Sequence, residues 1–340
     1  MSEITRNGPR HAPCAILCAS ALLLTACGGG GGGSGSAVPP PAINSANQKA
    51  VAADVLDTAT NASIPLLALD TMTSLRVTQA AVASRRPSVA AVARVLRSAP
   101  PQPGTAVLAA SGSQPLHCES GSGTLSGQLA GASGLVAGDT VTIAADHCRV
   151  TVDNVPVTTT GRLTMTVTSG TFDPANPRFH FVLRVEAQDF TTETPTESDL
   201  ARGTQQVEVD ESGTGQGSVT VSGAMTYRSA TAAGTHVSTL SDGTQTFTHD
   251  GDRVALNAAG AVATSNRFVG DLSYRLGTPA SLTWSGDTFT GGSLRADATG
   301  SALVMTPVGN AAFRLELDDN GDGATELTSE AKESELGDLL

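Results

Sequence analysis

The sequence predicts a mainly β protein, an antiparallel meander of about a dozen strands preceded by a short helical segment. Three observations predict it. Beyond residue 105 the apolar residues recur with period two, glycine-containing turn dipeptides separate the runs, and Thr, Ser, Gly, Ala and Val dominate. Phe179, Phe181, Leu183, Val185 and Ala187 alternate with His180, Arg184, Glu186 and Gln188. Alternate side chains of a strand point to opposite faces, so such a run has one buried and one wet face. The same pattern runs through Val141 and Ile143, then Leu163, Met165 and Val167, then Val219, Val221, Met225 and Tyr227. It continues in Leu272, Tyr274 and Leu276, in Leu282 and Trp284, and in Phe313, Leu315 and Leu317. Asp242-Gly243 and Asp250-Gly251 are two-residue hairpin signals, and Gly286-Asp287 and Gly309-Asn310 suit glycine-first turns. So many strands do not stay flat. The sheet is expected to curl, as an open barrel or a sandwich. A transmembrane barrel is disfavoured, because the outward positions are Thr, Ser, Asp and Arg where an apolar band would be needed.

The chain opens differently. Arg6 and Arg10 precede an apolar or small-residue run from Ala12 to Leu24. A membrane span takes about 20 apolar residues, so this run is short for one and suits a signal-peptide core. It ends in Leu24-Thr25-Ala26-Cys27, which resembles the lipobox of bacterial lipoproteins. The resemblance implies that residues 1–26 are a signal peptide, and that Cys27 becomes the lipidated first residue. The competing reading is an ordinary cleaved signal with a chance Cys; the order and position of the four residues favour the lipobox. Gly28 follows where an Asp would resemble an inner-membrane retention signal, which points to a lipid-anchored protein of the outer membrane.

Residues 27–44 read as a tether. Six glycines, then Pro39 to Pro41, carry no apolar periodicity, and no Lys follows to make a phosphate loop. Residues 45–99 turn helical, with Ser45 as the expected cap and Val51, Val55 and Leu56 on one face. Pro65 interrupts this segment and Pro87 opens a further one. Arg76, Arg85, Arg86, Arg94 and Arg97 follow one another without an intervening acid. A solvated face, or one paired with the acidic β domain, is favoured over a face lying on lipid headgroups. Pro100, Pro101 and Pro103 close the region, leaving a β domain over 105–328 and an acidic tail over 329–340.

The chain from Cys27 carries 31 acidic and 18 basic residues, and after Lys49 its one further Lys is Lys332. Nucleic acid is therefore excluded as a partner, since binding it takes clustered Lys and Arg. Of the five Cys, the signal removes Cys14 and Cys18, and the anchor uses Cys27. Cys118 and Cys148 remain, each preceded by a His. A zinc site is the alternative to a disulfide, but adjacent strand residues point apart, whereas a bridge needs only the two sulfurs on one face. His117-Cys118, Ala137-Gly138-Asp139-Thr140-Val141, Cys148 and a terminal Asp-Asn-Gly-Asp-Gly turn together resemble β-rich lipoproteins of proteobacteria. That resemblance implies no activity.

Residues 318–326 resemble the calcium loop of an EF-hand. Asp318, Asn320, Asp322 and Glu326 fall at positions one, three, five and nine, with Gly323 at six. Position twelve, where that family has a bidentate Glu, is Ser329, and the preceding residues alternate like a strand. A plain acidic turn and a weak calcium site both remain open. No other cofactor is expected. Nucleophile elbows, zinc-protease helices and phosphate loops are missing, and the five His after the signal sit in strand-like contexts that suggest solvent-facing positions. The expectation is a non-catalytic envelope module whose partner is an unknown protein. The alternative is a carrier holding an apolar, lipid-like ligand in a curved half-barrel.

Overall fold

The computed structural model describes residues 42–61, 112–130, 134–152, 154–173, 176–213, 215–286 and 288–340. The signal peptide, Cys27, most of the tether and the arginines from Arg76 to Arg97 lie outside them. The period-two runs are strands. In chain order they are β1 (Gly112–Pro115), β2 (Ser120–Gln128), β3 (Leu135–Val136), β4 (Thr140–Val152), β5 (Val155–Phe172), β6 (Phe179–Glu193), β7 (Glu197–Gly213) and β8 (Gln216–Thr231). The second half comprises β9 (Gly234–Asp250), β10 (Arg253–Asn266), β11 (Gly270–Ser285), β12 (Thr288–Ala298), β13 (Ser301–Gly309), β14 (Ala312–Asp318) and β15 (Leu327–Lys332). Helix α1 (Gln48–Thr60) precedes them and a short α2 (Glu333–Gly337) follows.

Each strand pairs antiparallel with its neighbour in sequence, except that β4 joins β2 and the two-residue β3 pairs with β5. The result is a fifteen-stranded meander with β1 and β15 at its two edges, not closed into a barrel. Register puts like with like. Leu163, Met165 and Val167 of β5 oppose Ala187, Val185 and Leu183 of β6, and Val207 and Val209 oppose Val221 and Val219. These side chains are buried and join one continuous core. On the outer face the threonines pair with each other: Thr142 with Thr164, Thr220 with Thr246, and Thr226 with Thr239, at 3.0–3.3 Å. Such cross-strand contacts each add a few tenths of a kcal/mol, roughly 0.2–1.

Curvature comes from irregularities inside the strands. Asp242-Gly243 is not the hairpin turn its residues suggest. It lies within β9, opposite Gly223 of β8, where the register shifts by a bulge. Asp242 takes φ +49° and Gly223 φ +119°. A Cβ on Gly223 would meet the Thr204 carbonyl oxygen at 2.7 Å, and one on Gly243 the Leu240 side chain at 2.3 Å. Glycine is therefore required at both, and the bulge bends and twists the strand there. Likewise Leu272–Leu276 and Leu282–Trp284 form one strand, β11, with a register shift between Gly277 and Ala280. Asp250-Gly251 does join β9 to β10 as expected. The sheet also runs past residue 328: β15 ends at Lys332, and α2 buries Leu336, so the last twelve residues are packed structure.

Helix α1 packs against β9, β10, β12, β13 and β14, and against α2. Ala50, Val51, Ala53, Val55, Leu56 and Ala59 are all buried, as befits a helix that is apolar on nearly every side. Ser45 is not its cap. Asn44 and Asn47 bond reciprocally instead, the Asn44 Oδ1 accepting from the Ala46 and Asn47 N–H groups and the Asn47 Oδ1 from Asn44 N–H. Ile43 N–H donates to Ser301 Oγ on β13 at 2.9 Å, which fastens the approach to the helix.

Cys118, in the segment between β1 and β2, is disulfide-bonded to Cys148 of β4, with Cα atoms 5.2 Å apart and a sequence separation of 30. Closing such a loop stabilises the fold by about 3–4 kcal/mol in the chain-entropy model. The double variant Cys118→Ala/Cys148→Ala is expected to lose about that much in urea unfolding. An unchanged midpoint, or two reactive thiols in denatured, unreduced protein, would contradict this.

Candidate functional site

The acidic loop joins β14 to β15. Its carboxylates organise the backbone: Asp318 accepts from Gly321 N–H at 2.6 Å and from Gly323 N–H at 2.9 Å, one on each oxygen. Asn320 Oδ1 accepts from Asp322 N–H, Asp322 Oδ1 from Ala324 N–H, and Glu326 Oε2 from Asp319 N–H. Asn320 Nδ2 donates to Glu326 Oε1 at 3.2 Å. Desolvation pushes the Asp318 carboxyl up, but the N–H groups of Gly323, Gly321, Asn320 and Asp322 outweigh it and hold the carboxyl below its ordinary range.

The loop thus brings Asp318, Asp322 and Glu326 together, each offering an oxygen within 4.8 Å of the others. Three carboxylate oxygens this close together can share one cation. An all-oxygen donor set also suits a hard cation. The structure explains the missing twelfth ligand. Ser329 is held in β15 opposite Leu315, its Oγ bonded to Gln48 Oε1 of α1, and Glu330 pairs with Arg314 on the exposed face.

A second cluster was not foreseen from the sequence. Asp54 of α1 is fully buried, and three adjacent strands supply its partners. His236 Nε2 of β9 lies 2.5 Å from Oδ1, Thr264 Oγ1 of β10 donates to the same oxygen at 2.9 Å, and Tyr274 O–H of β11 donates to Oδ2 at 2.6 Å. Next to it, Thr58 Oγ1 and Ser238 Oγ are 2.9 Å apart. Gln245 Nε2 donates to the carbonyls of Thr58 and Ala59, closing the open end of the helix. His236 is therefore an exception to the solvent-facing expectation, being 1% exposed; His117, His147 and His180 conform to it, and His249 is half-buried against Glu211. Period two could have found it: counted back from Leu240, both Ser238 and His236 fall on the core face.

Cys118 and Cys148 spend their sulfurs on each other, and His147 turns out to Asp146 with φ +52°, so the two His-Cys pairs make no zinc site. Cys27 lies outside the described residues. No protein-family model matches the chain, and no curated protein or solved structure matches it either.

Burial raises the Tyr274 phenol well above its ordinary value, and the Asp54 charge and hydrogen bond add to this, against a smaller opposing contribution from Thr58. The neutral phenol is the form the fold holds. Its contribution is fully present below the unfolded value near pH 10 and is lost as pH rises beyond it. Tyr274→Phe is expected to lower stability at pH 8 by about 1.5–3 kcal/mol, the worth of a hydrogen bond to a charged group. Above pH 10 the variant should fall off less steeply than wild type in urea melts. Parallel pH curves would refute the assignment.

Proposed function

We propose that the chain is a non-catalytic lipoprotein of the cell envelope, a binding or structural module held to the outer membrane through Cys27. The observation that carries the anchor is Leu24-Thr25-Ala26-Cys27 at the end of a 13-residue apolar run. What supports a module over a lipid carrier is the inner face of the sheet. Its apolar residues are buried from β4 to β14, and α1 lies against the strands from β9 to β14. A carrier would leave an apolar cavity of several hundred Å³ there. Radiolabelled palmitate is expected to enter the wild-type protein and to be lost in Cys27→Ser, with the variant released from membranes. Wild type that takes up no label and partitions as soluble protein would overturn the proposal.

We also propose that the 318–326 loop takes up calcium weakly, supported by three convergent carboxylates on a preorganised backbone. With no twelfth ligand, the affinity expected is that of extracellular modules, about 10⁻⁴–10⁻³ M. Millimolar calcium then stabilises the fold by under about 1.5 kcal/mol. Thermal melts in calcium and in chelator should differ for wild type and coincide for Asp322→Ala. Identical melts for wild type would reduce the loop to a turn.

A further inference from the structure

Asn320 is followed by Gly321, and both are exposed in the loop between β14 and β15. An asparagine side chain can be attacked by the backbone nitrogen of the next residue, which closes a cyclic succinimide and expels ammonia. Glycine in second place leaves the path to the amide carbon clear, because it has no Cβ. The reaction is helped by an electron-rich nitrogen, a polarised carbonyl and a leaving nitrogen ready to take up a proton.

The loop places a group at each of these atoms. Gly321 N–H donates to Asp318 Oδ1 at 2.6 Å, and a short bond to a carboxylate moves electron density onto the nitrogen. Asn320 Oδ1 accepts from Asp322 N–H at 2.8 Å. That bond draws electrons from the amide carbon and folds the side chain back along its own main chain, towards the Gly321 nitrogen. Asn320 Nδ2, the atom that leaves, donates to Glu326 Oε1 at 3.2 Å, which makes it more ready to accept a proton. Gly321 takes φ +75° and packs against Gly300, where a Cβ would lie 3.1 Å from the backbone, so the attacking residue is held in place.

We propose that Asn320 is a self-modifying site, converting to aspartate or isoaspartate faster in the folded chain than in the unfolded one. A bond forms from the Gly321 nitrogen to Asn320 Cγ as the N–H bond breaks. The proton passes through solvent to Nδ2, and the Cγ–Nδ2 bond breaks to release ammonia. Water, the one co-reactant, then adds to a succinimide carbonyl, and the C–N bond it opens decides between the two acids. Either product sets a new carboxylate between Asp318 and Asp322, and isoaspartate also lengthens the backbone by a methylene. The site depends neither on the lipid anchor nor on calcium.

The test ages the purified chain at pH 8 in chelator, folded and in guanidinium chloride above its unfolding transition. Fragment-ion mass spectrometry reads the change from amide to acid at residue 320. The folded wild type is expected to convert about ten-fold faster than the unfolded chain, a comparison that needs no variant. Asp318→Asn keeps an acceptor for Gly321 N–H but removes the charge, and should slow the folded rate several-fold without changing the unfolded one. Asn320→Gln, whose longer side chain closes a larger ring, should fold like wild type and show no conversion. A folded wild-type rate equal to or below the unfolded rate would overturn the proposal, as would an unchanged folded rate in Asp318→Asn.

Discussion

The carboxylate of Asp54 sets the terms on which helix and sheet meet. An ionised group with no access to water costs several kcal/mol unless it is fully hydrogen-bonded, and no single strand could satisfy this one. His236, Thr264 and Tyr274 each provide one donor, and they come from β9, β10 and β11. Three consecutive strands must therefore hold mutual register to within a residue, since a one-residue slip of any of them would turn its own donor to the outer face. The helix in turn can sit at only one height and rotation.

Closing strands around a helix takes curvature, and the chain obtains it from bulges instead of from turns. Gly223 and Gly243 face each other where β8 and β9 shift register, and neither position has room for a Cβ. Their abundance in the strands has a geometric cause. The long strands, 14–18 residues each from β5 to β11, bend where such bulges interrupt the pairing. Threonine answers the other half of the problem. Facing outward on a strongly bent sheet, β-branched side chains hydrogen-bond across strands and keep the outer surface wet without breaking the pleat.

What could be read from the residues, and what could not, divides along the same line. Period two made the strands, their buried faces and the antiparallel meander legible, because those depend on local alternation. The disulfide followed from the number of cysteines left once a signal peptide was expected, and from the oxidising compartment that such a signal implies. The Asp242-Gly243 pair misled, since a bulge and a hairpin turn ask for the same positive φ. Ser45 misled as well, because the chain stays in a turn held by Asn44 and Asn47 and the helix begins only at Gln48. The Asp54 cluster was out of reach for a stronger reason. Asp54 and Tyr274 are 220 residues apart in sequence, and nothing in a helix containing Asp54 and Asp57 marks which carboxylate faces inward until the packing partner is known.

The acidic loop illustrates how the sheet prepares a surface feature. Gly321 packs against Gly300 in the neighbouring β12–β13 turn, where a Cβ would lie 3.1 Å from the backbone. Glu326 reaches back to Asp319 N–H across the loop, and its own N–H bonds the Leu317 carbonyl at the start of the β14–β15 ladder. The loop is thus fixed from both strands and from the adjacent turn before any ion arrives. Three carboxylates repel when brought together, and here the repulsion is offset by N–H groups aimed at their oxygens. A loop built this way holds its acids convergent through its own backbone. Loops at the strand ends are positioned in this way by a continuous apolar core beneath them.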